Sequence, residues 1–142
     1  MTMPTTPEEW KDRNKQVIEH VRANGGVSPS GSKPVLLTTV GAKTGRQHTV
    51  PLACMPEGDR LIVFGSNMGG PRQPDWYYNI LKDPHVTVEY LGQQFETTAQ
   101  IAEGDERTQL WATATERSPI AAQHQAKTAR QFPIVILTPP ST

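Results

Sequence analysis

The 142-residue sequence contains a single cysteine, Cys54, so no disulfide bond can form within the chain. It has no apolar run approaching the ~20 residues that a membrane-spanning helix needs, and its first residues include no apolar secretion signal. Lysines and arginines number 14, as do aspartates and glutamates, and a zero net charge disfavours nucleic acid as a partner. The length and these absences predict a single domain over residues 1–142, located in the cytoplasm, where its one cysteine stays a reduced thiol.

Patterns typical of metal centres and of hydrolases are also missing. The 4 histidines and Cys54 show no close spacing such as His-x3-His or Cys-x-x-Cys, so we predict no metal site. No Gly-x-Ser-x-Gly motif occurs. Cys54 lies in an apolar run without a basic neighbour that would lower its pKa. We interpret it as a small core residue.

Turn signals separate many short apolar runs. The 13 prolines and 11 glycines favour short strands over long helices. Because the strands do not alternate regularly with helices, the predicted fold is mainly β with peripheral helices, an α+β protein built on a small antiparallel barrel. The predicted strands occupy residues 34–40, 47–55, 61–65, 85–91, 94–102 and 132–137, and the predicted helices residues 7–24, 74–82, 105 onward, and 118–128.

The N-terminal helix, residues 7–24, has clear start and stop signals. Thr6 can cap it, Pro7 suits its first position, and Glu9 completes a capping box. Asn24-Gly25-Gly26 ends it. Its apolar stripe is thin, so we interpret the helix as a cover for the sheet or as a lid over a pocket, and we do not expect membrane association.

The sharpest local signal is the basic loop Gly41-Ala42-Lys43-Thr44-Gly45-Arg46. Its glycines allow a tight turn and present N–H groups, while two cations and a hydroxyl suit a phosphate. The frame is not the Gly-x-x-x-x-Gly-Lys-Ser/Thr of P-loops. The alternative is a solvated hairpin turn. His48, two residues later, either extends this site or is simply exposed.

A second glycine-rich loop covers residues 66–73 and is longer than a plain connection requires. Its Ser66 and Asn67 could set polar groups against a flat ring, or the loop could be merely flexible. The next helix carries Trp76, which we interpret as a core residue. It also carries Asn79, whose polar side chain needs a partner on a packed helix.

Six segments agree in order and spacing with one known family. They are Leu36-Leu37-Thr38-Thr39-Val40-Gly41-Ala42-Lys43-Thr44-Gly45, Val50-Pro51-Leu52, Gly69-Gly70, Pro74-x-Trp76-Tyr77-x-Asn79, Lys82-x-Pro84-x-Val86 and Thr128-x-Arg130-x-x-Pro133-Ile134-Val135. Over residues 34–139 the chain thereby resembles the deazaflavin-dependent nitroreductases, small actinobacterial oxidoreductases that use coenzyme F420. The resemblance implies a split β-barrel fold and reductase activity.

The resemblance also implies a cofactor site in three parts. One part holds the phosphate and polyglutamate tail of F420, the second lies beside the deazaflavin ring, and the third supports that wall. The first part is Lys43, Thr44, Gly45, Arg46 and His48; the second is Pro51, Leu52, Ser66 and Asn67; the third is Trp76 and Asn79.

Departures from the family's nitroimidazole-activating member concern the substrate side. Where that member has tyrosines over the ring, this chain has Ser118, Ala121 and His124, and Ala53 replaces another aromatic. The resemblance therefore implies a wider and more polar pocket, bounded also by Trp10 of the N-terminal helix.

The predicted activity is hydride transfer from reduced F420 to activated double bonds of enones, coumarin-like lactones or quinones, with nitroaromatics left open. Ser66 is the candidate to stabilise charge on the substrate oxygen, and His124 is the candidate proton donor. His124 could instead face solvent. An FMN-binding split barrel and a carrier of F420 or another ligand without turnover stay open as alternatives. We expect a small-molecule substrate and a monomer or homodimer.

Overall fold

The computed structural model describes residues 6–65, 72–128 and 130–140. Within them, four helices lie around eight strands. In chain order the elements are α1 (Pro7–Ala23), β1 (Val35–Val40), β2 (Gln47–Leu52), β3 (Cys54–Glu57), β4 (Arg60–Phe64), α2 (Asp75–Lys82), β5 (His85–Tyr90), β6 (Gln93–Thr98), β7 (Gln100–Ile101), α3 (Gly104–Arg117), α4 (Pro119–Ala126) and β8 (Ile134–Leu137).

The strands form two four-stranded antiparallel sheets in the orders β2-β1-β5-β6 and β3-β4-β8-β7. The described sheets are open rather than closed into one barrel. Two of the six predicted strands, residues 47–55 and 94–102, each divide at an alanine and pass from the first sheet to the second. The dividing residues are Ala53 and Ala99. The mainly-β architecture with peripheral helices is therefore confirmed, with two strands bent rather than straight.

Alternating residues of both sheets form one core. Strand side chains repeat with a period of two, so every second residue faces the same side. The cluster joins pairs from four strands and from α2: Val35 and Leu37, Val86 and Val88, Leu61 and Val63, Val135 and Leu137, and Trp76 and Ile80. A smaller cluster on the other face of the second sheet joins Ile62, Ile134 and Ile136 to Leu110 and Ala114 of α3. The second sheet is thus covered on both faces.

The ends of α1 match their sequence signals. The Thr6 hydroxyl accepts a hydrogen bond from the backbone N–H of Glu9 at 3.1 Å, as an N-cap should. Near the other end, Arg22 donates two hydrogen bonds to the carboxylate of Glu89, at 3.0 and 2.7 Å. Val21 beside it is buried. The last turn of α1 is therefore fixed to β5.

No helix in the described ranges is long and apolar enough to cross a membrane.

Candidate functional site

The basic loop joins β1 to β2 and has a defined backbone. Gly41 N donates to the carbonyl of Arg46 at 2.7 Å, and Gly45 N donates to the carbonyl of Gly41 at 2.9 Å. Gly45 has φ 69°, in the left-handed region that glycine adopts without strain. The hydroxyl of Thr44 accepts from Arg46 N at 3.2 Å. The loop is therefore a closed, hydrogen-bonded turn.

Gly41 sits where no larger residue fits without a rearrangement. A Cβ at this position would lie 2.5 Å from Thr44 Oγ1 and 2.9 Å from His48 Nε2. Thr44 Oγ1 and His48 Nε2 are themselves 3.2 Å apart. Because Thr44 Oγ1 already accepts from a backbone N–H, its own hydrogen is available to the imidazole. Gly41 thus allows His48 to close against the loop.

Helix α2 holds this loop through the two polar groups of Ala42. The N–H of Ala42 donates to Asn79 Oδ1 at 2.9 Å, and its carbonyl accepts from Lys82 Nζ at 2.8 Å. Asn79 is only 8% exposed and donates its Nδ2 hydrogen to Thr39 Oγ1 at 2.9 Å. Asn79 therefore has the partners that its buried position requires, and it contacts the loop from behind.

A surface depression of about 440 Å³ lies over the loop and includes Lys82 and Asp83. Lys43 and Arg46 are exposed, and within the described ranges neither forms an ion pair. Hydrogen bonds from the backbone N–H and the ring of His85 hold the pKa of Asp83 below its usual range. Cations outnumber the one carboxylate, so the depression suits an anion.

The predicted ring-side residues occupy the opposite end of β2. Pro51 pairs with Leu36, and Leu52 pairs with Val35; Pro51 and Leu52 are half-buried. At ~3.3 Å per residue, the far end of this six-residue strand lies on the order of 20 Å from the loop. That span suits an extended ligand with an anionic end and a ring end.

The remaining predicted cofactor residues divide into two groups. Trp76 is 6% exposed, lies in the main core and meets Tyr77 edge-on with 6.5 Å between ring centroids. Trp76 can therefore stabilise the ring side of the cofactor site only indirectly, by packing in the core behind it. Ser66 and Asn67 lie outside the described residues.

The predicted substrate-side residues lie on different elements. Ala53 is exposed at the crossing from β2 to β3, and Trp10 is half-buried on α1, a helix that contacts β2. Ser118 is exposed and ends α3, where its N–H donates to Ala114 O at 2.8 Å. Ala121 and His124 belong to α4, and their side chains are outside the described part.

Sequence reasoning missed the side-chain partners of Arg130. Its Nη1 donates to the carbonyl of Gly65 at 2.8 Å and to Gln73 Oε1 at 2.6 Å. The Thr128-x-Arg130-x-x-Pro133 segment was visible in the sequence, but its partners lie 57 and 65 residues away. Lys82 was missed as a site residue for the same reason, although the Lys82-x-Pro84 segment was noted.

Cys54, predicted to be a core residue, is half-buried and packs against the edge of the main core cluster. Its Sγ lies 3.5 Å from the carbonyl of Lys33, and burial raises the pKa of its thiol to about 11. Within the described residues, no group of three His, Cys, Asp or Glu side chains could hold a metal ion.

The fold and the loop together define a small two-sheet β-protein with a depression, lined by Lys43 and Lys82, where α2 meets the β1–β2 turn. Residues 10–139 match the F420H(2)-dependent quinone reductase family. The chain is 31% identical over 113 residues to the F420H(2)-dependent quinone reductase Rv1261c of Mycobacterium tuberculosis (strain ATCC 25618 / H37Rv), covering 78% of this chain and 76% of that protein. The chain therefore belongs to the F420H(2)-dependent quinone reductase family.

Solved structures of related proteins agree with this family assignment and with the fold. The F420-H2 dependent reductase FDR-A is 38% identical, with 72% of this chain and 91% of that chain covered and a TM-score of 0.65. A domain-swapped dimer is 31% identical, with 92% and 98% covered and a TM-score of 0.67. HutZ, a heme storage protein of Vibrio cholerae, has a TM-score of 0.57 but 18% identity over 91% of this chain and 92% of its own, so it shows the fold alone.

These findings confirm the expectations for fold, enzyme class and cofactor. The chain is a split-barrel oxidoreductase that depends on coenzyme F420. They favour an F420-dependent reductase over the two alternatives, the FMN-binding split barrel and the carrier without turnover.

Proposed function

We propose that this protein reduces quinones and related enones with reduced F420, and that the loop at residues 41–46 binds the anionic end of the cofactor. The observation that supports this most directly is the loop itself. It has two exposed cations that form no ion pair with any described residue, a glycine whose replacement would crowd the turn, and a backbone held from behind by Asn79.

The described residues fit an F420 phosphate. Lys43 and Arg46 supply charge, and the hydroxyl of Thr44 and the backbone of the loop supply polar contacts. Lys82 lines the depression together with Lys43 and is its second cation. Pro51 and Leu52 at the far end of β2 would face the ring side. The wall made by Ser66 and Asn67 remains a proposal that rests on the family resemblance.

Bound reduced F420 supplies a hydride, because carbon replaces the flavin N5 in its ring. Reduction of a quinone to a hydroquinone takes this hydride and one proton, while the cofactor leaves oxidised. The protein binds the cofactor and the substrate, orients them towards each other and excludes water. We propose His124 or water as the source of the proton, and the Ser66 hydroxyl as a donor to the substrate oxygen.

The proposed substrate class follows from the family and from the small side chains on the proposed substrate side of the pocket. Ser118, Ala121 and Ala53 are smaller than the aromatics they replace in the nitroimidazole-activating relative, so a wider pocket would admit flat bicyclic acceptors such as naphthoquinones and coumarins. Trp10 of α1 would border this pocket, with α1 as its cover. Nitroaromatic reduction stays a secondary proposal, because those tyrosines are replaced here.

We also propose a homodimer, since one structural relative is a domain-swapped dimer, and a cytoplasmic location, since the only cysteine is a free thiol. The whole chain would form one domain.

The first test is a fluorescence titration of the protein with F420, with FMN as the comparison ligand. Lys43→Ala should weaken F420 binding about tenfold or more, as expected for a lost charge-assisted contact. Lys33→Ala is the matched control, because Lys33 is also exposed but lies beyond the other end of β1. Equal effects of the two variants would reject the loop as the phosphate site.

The second test follows the oxidation of reduced F420 with menadione, cyclohexenone, coumarin and a nitrofuran. Turnover with menadione and cyclohexenone is the expected result. His124→Asn should lower kcat about a hundredfold if the imidazole supplies the proton, whereas an unchanged kcat would leave water as the donor. Binding of F420 without oxidation by any of the four acceptors would overturn the proposed substrate class.

A further inference from the structure

The guanidinium of Arg130 joins two separate parts of the chain through one nitrogen atom. Nη1 carries two hydrogens, and it donates one to the carbonyl of Gly65, which follows β4, and the other to Oε1 of Gln73, which precedes α2. Gly65 N in turn donates to the carbonyl of Pro133 at 2.9 Å. The end of β4 is therefore held from two sides by the segment that leads into β8.

A buried ring fixes the position of this guanidinium. Its Cζ lies 4.9 Å from the centroid of the Phe132 ring. Phe132 is 1% exposed and meets Trp111 of α3 edge-on, with 6.2 Å between centroids. Contact with this buried ring adds to the hydrogen bonds that hold the guanidinium in place.

The backbone of the same residue holds α4. Gln125 of α4 donates from Nε2 to the carbonyl of Arg130 at 2.6 Å, and its Oε1 accepts from the N–H of Phe132 at 3.1 Å. This pair of bonds fixes α4 against the 130–132 segment. The backbone of Arg130 thus contacts α4 while its side chain contacts the end of β4.

We propose that Arg130 is a positioning residue of the reductase site, which sets α4 against the end of β4 without itself contacting cofactor or substrate. This inference rests on the proposed function, in which α4 bounds the substrate side of the pocket. Small displacements of groups that orient a substrate lower the rate of transfer steeply, by up to ~100-fold for about 1 Å. Loss of the guanidinium should therefore change the rate more than it changes F420 binding at the distant loop.

The test compares Arg130→Gln with Arg60→Gln. Arg60 is the matched control because it is also half-buried and also joins two elements through its guanidinium, which donates to Glu106 Oε2 of α3 at 2.9 Å, but it lies at the start of β4 rather than at its end. For Arg130→Gln we expect kcat with menadione to fall at least tenfold, KM for menadione to rise, and the F420 Kd to stay within about threefold. For Arg60→Gln we expect a slightly lower Tm with kcat within about twofold.

Rescue experiments separate positioning from simple destabilisation. Arg130→Lys keeps a donor for both acceptors but not the stacked fork, so it should recover part of kcat. Added guanidinium or ethylguanidinium ions at millimolar concentration should restore activity to Arg130→Ala and should leave the kcat of Arg60→Ala unchanged. If Arg130→Gln does not fold, Gln73→Leu removes one acceptor while the guanidinium remains.

Hydrogen exchange of the protein without cofactor gives a readout independent of activity. Amides of α4 should exchange at least tenfold faster in Arg130→Gln, or in Gln73→Leu, than in the wild type, and should change little in Arg60→Gln. Unchanged α4 exchange in Arg130→Gln, or an equal loss of kcat in Arg130→Gln and Arg60→Gln, would overturn the inference. A wild-type protein that binds but does not oxidise reduced F420 would instead reject the proposed function, and the exchange result would still decide the role of Arg130.

Discussion

The side-chain amide of Asn79 donates a hydrogen bond to the hydroxyl of Thr39 across 2.9 Å, in a buried contact between α2 and β1. The other end of the same amide accepts the N–H of Ala42. One buried side chain therefore connects the core to the start of the basic loop. This contact on the inner side adds to the loop's own backbone hydrogen bonds and leaves its outer side available to a ligand.

Replacing Asn79 with alanine should weaken both the fold and the cofactor site. The change leaves the Thr39 hydroxyl and the Ala42 N–H without partners, and each buried unsatisfied group costs about 1–3 kcal/mol. We expect the free energy of unfolding in urea to fall by about 2–4 kcal/mol, and the F420 Kd to rise about tenfold because the loop loses its support.

Asn14→Ala on α1 is the control for this substitution. Asn14 has no side-chain hydrogen bond among the described residues, so its removal should change the free energy of unfolding by no more than ~0.5 kcal/mol. Retention of wild-type F420 affinity in Asn79→Ala, despite the loss of stability, would show that the loop does not depend on this amide.

Substitution of Gly41 by alanine should affect binding through crowding. The new Cβ would lie 2.5 Å from Thr44 Oγ1, so the hydroxyl and the imidazole of His48 must move. We expect a stability loss of about 1–3 kcal/mol and a rise of about tenfold in the F420 Kd. Gly58→Ala separates the two effects: its φ of 61° makes alanine strained there, by about 1–2 kcal/mol, but it lies in the distant β3–β4 turn. An F420 Kd that rises equally in both variants would argue against a local effect at the loop.

The strand pattern could be predicted from the sequence, whereas the two bends could not. Val50, Leu52 and Cys54 all pack against the same core cluster, so the period of two continues unbroken across Ala53. The sequence pattern therefore predicts one continuous strand over residues 47–55, although the chain changes sheets at Ala53. The position of the bend depends on which strands pair with each half, and those pairing partners are distant in sequence.

In the candidate site, too, features that are local in sequence could be predicted, whereas contacts between distant segments could not. The glycines and cations of the loop are contiguous in sequence, and Asn79 was noted because a polar residue on a packed helix needs a partner. The partners themselves lie 37 and 40 residues away. The role of Lys82 depends on the end of α2 coming to rest beside Ala42, which no short motif specifies.

The thiol of Cys54 should be unreactive at neutral pH. With a pKa of about 11, on the order of one thiol in a thousand is ionised at pH 8, against about one in four for a cysteine of pKa ~8.5. A more basic thiolate is a better nucleophile, which offsets part of this difference. We expect alkylation by iodoacetamide at pH 8 to be at least tenfold slower than in guanidinium-denatured protein, and to accelerate up to about pH 11. Equal rates in folded and denatured protein would contradict a buried thiol.

The same pKa predicts how stability varies at alkaline pH. The folded-state pKa of Cys54 lies above the unfolded value of ~8.5, so its contribution to stability is complete below about pH 8.5 and is lost as the pH rises towards 11. Tyr90, whose pKa is raised by burial and by Cys54, acts in the same direction. Cys54→Ala should therefore show a shallower loss of unfolding free energy between pH 8.5 and 11 than the wild type, as measured by urea denaturation. Parallel curves for the two proteins would exclude this contribution.

Lys82 should contribute to F420 binding in two ways, through its charge and through its bond to the carbonyl of Ala42. Lys82→Met removes both, and we expect the F420 Kd to rise about tenfold. The dependence of binding on salt should also weaken, because one cation fewer meets the phosphate end. Lys82→Arg keeps the charge, so it should restore most of the salt dependence even where the hydrogen-bond geometry changes. Lys33→Met is the matched control and should leave both the Kd and its salt dependence unchanged. Competition by inorganic phosphate would locate the effect: the Ki of phosphate, calculated with the F420 Kd of each protein, should be higher for Lys82→Met than for the wild type, and an unchanged Ki would place Lys82 outside the anion site.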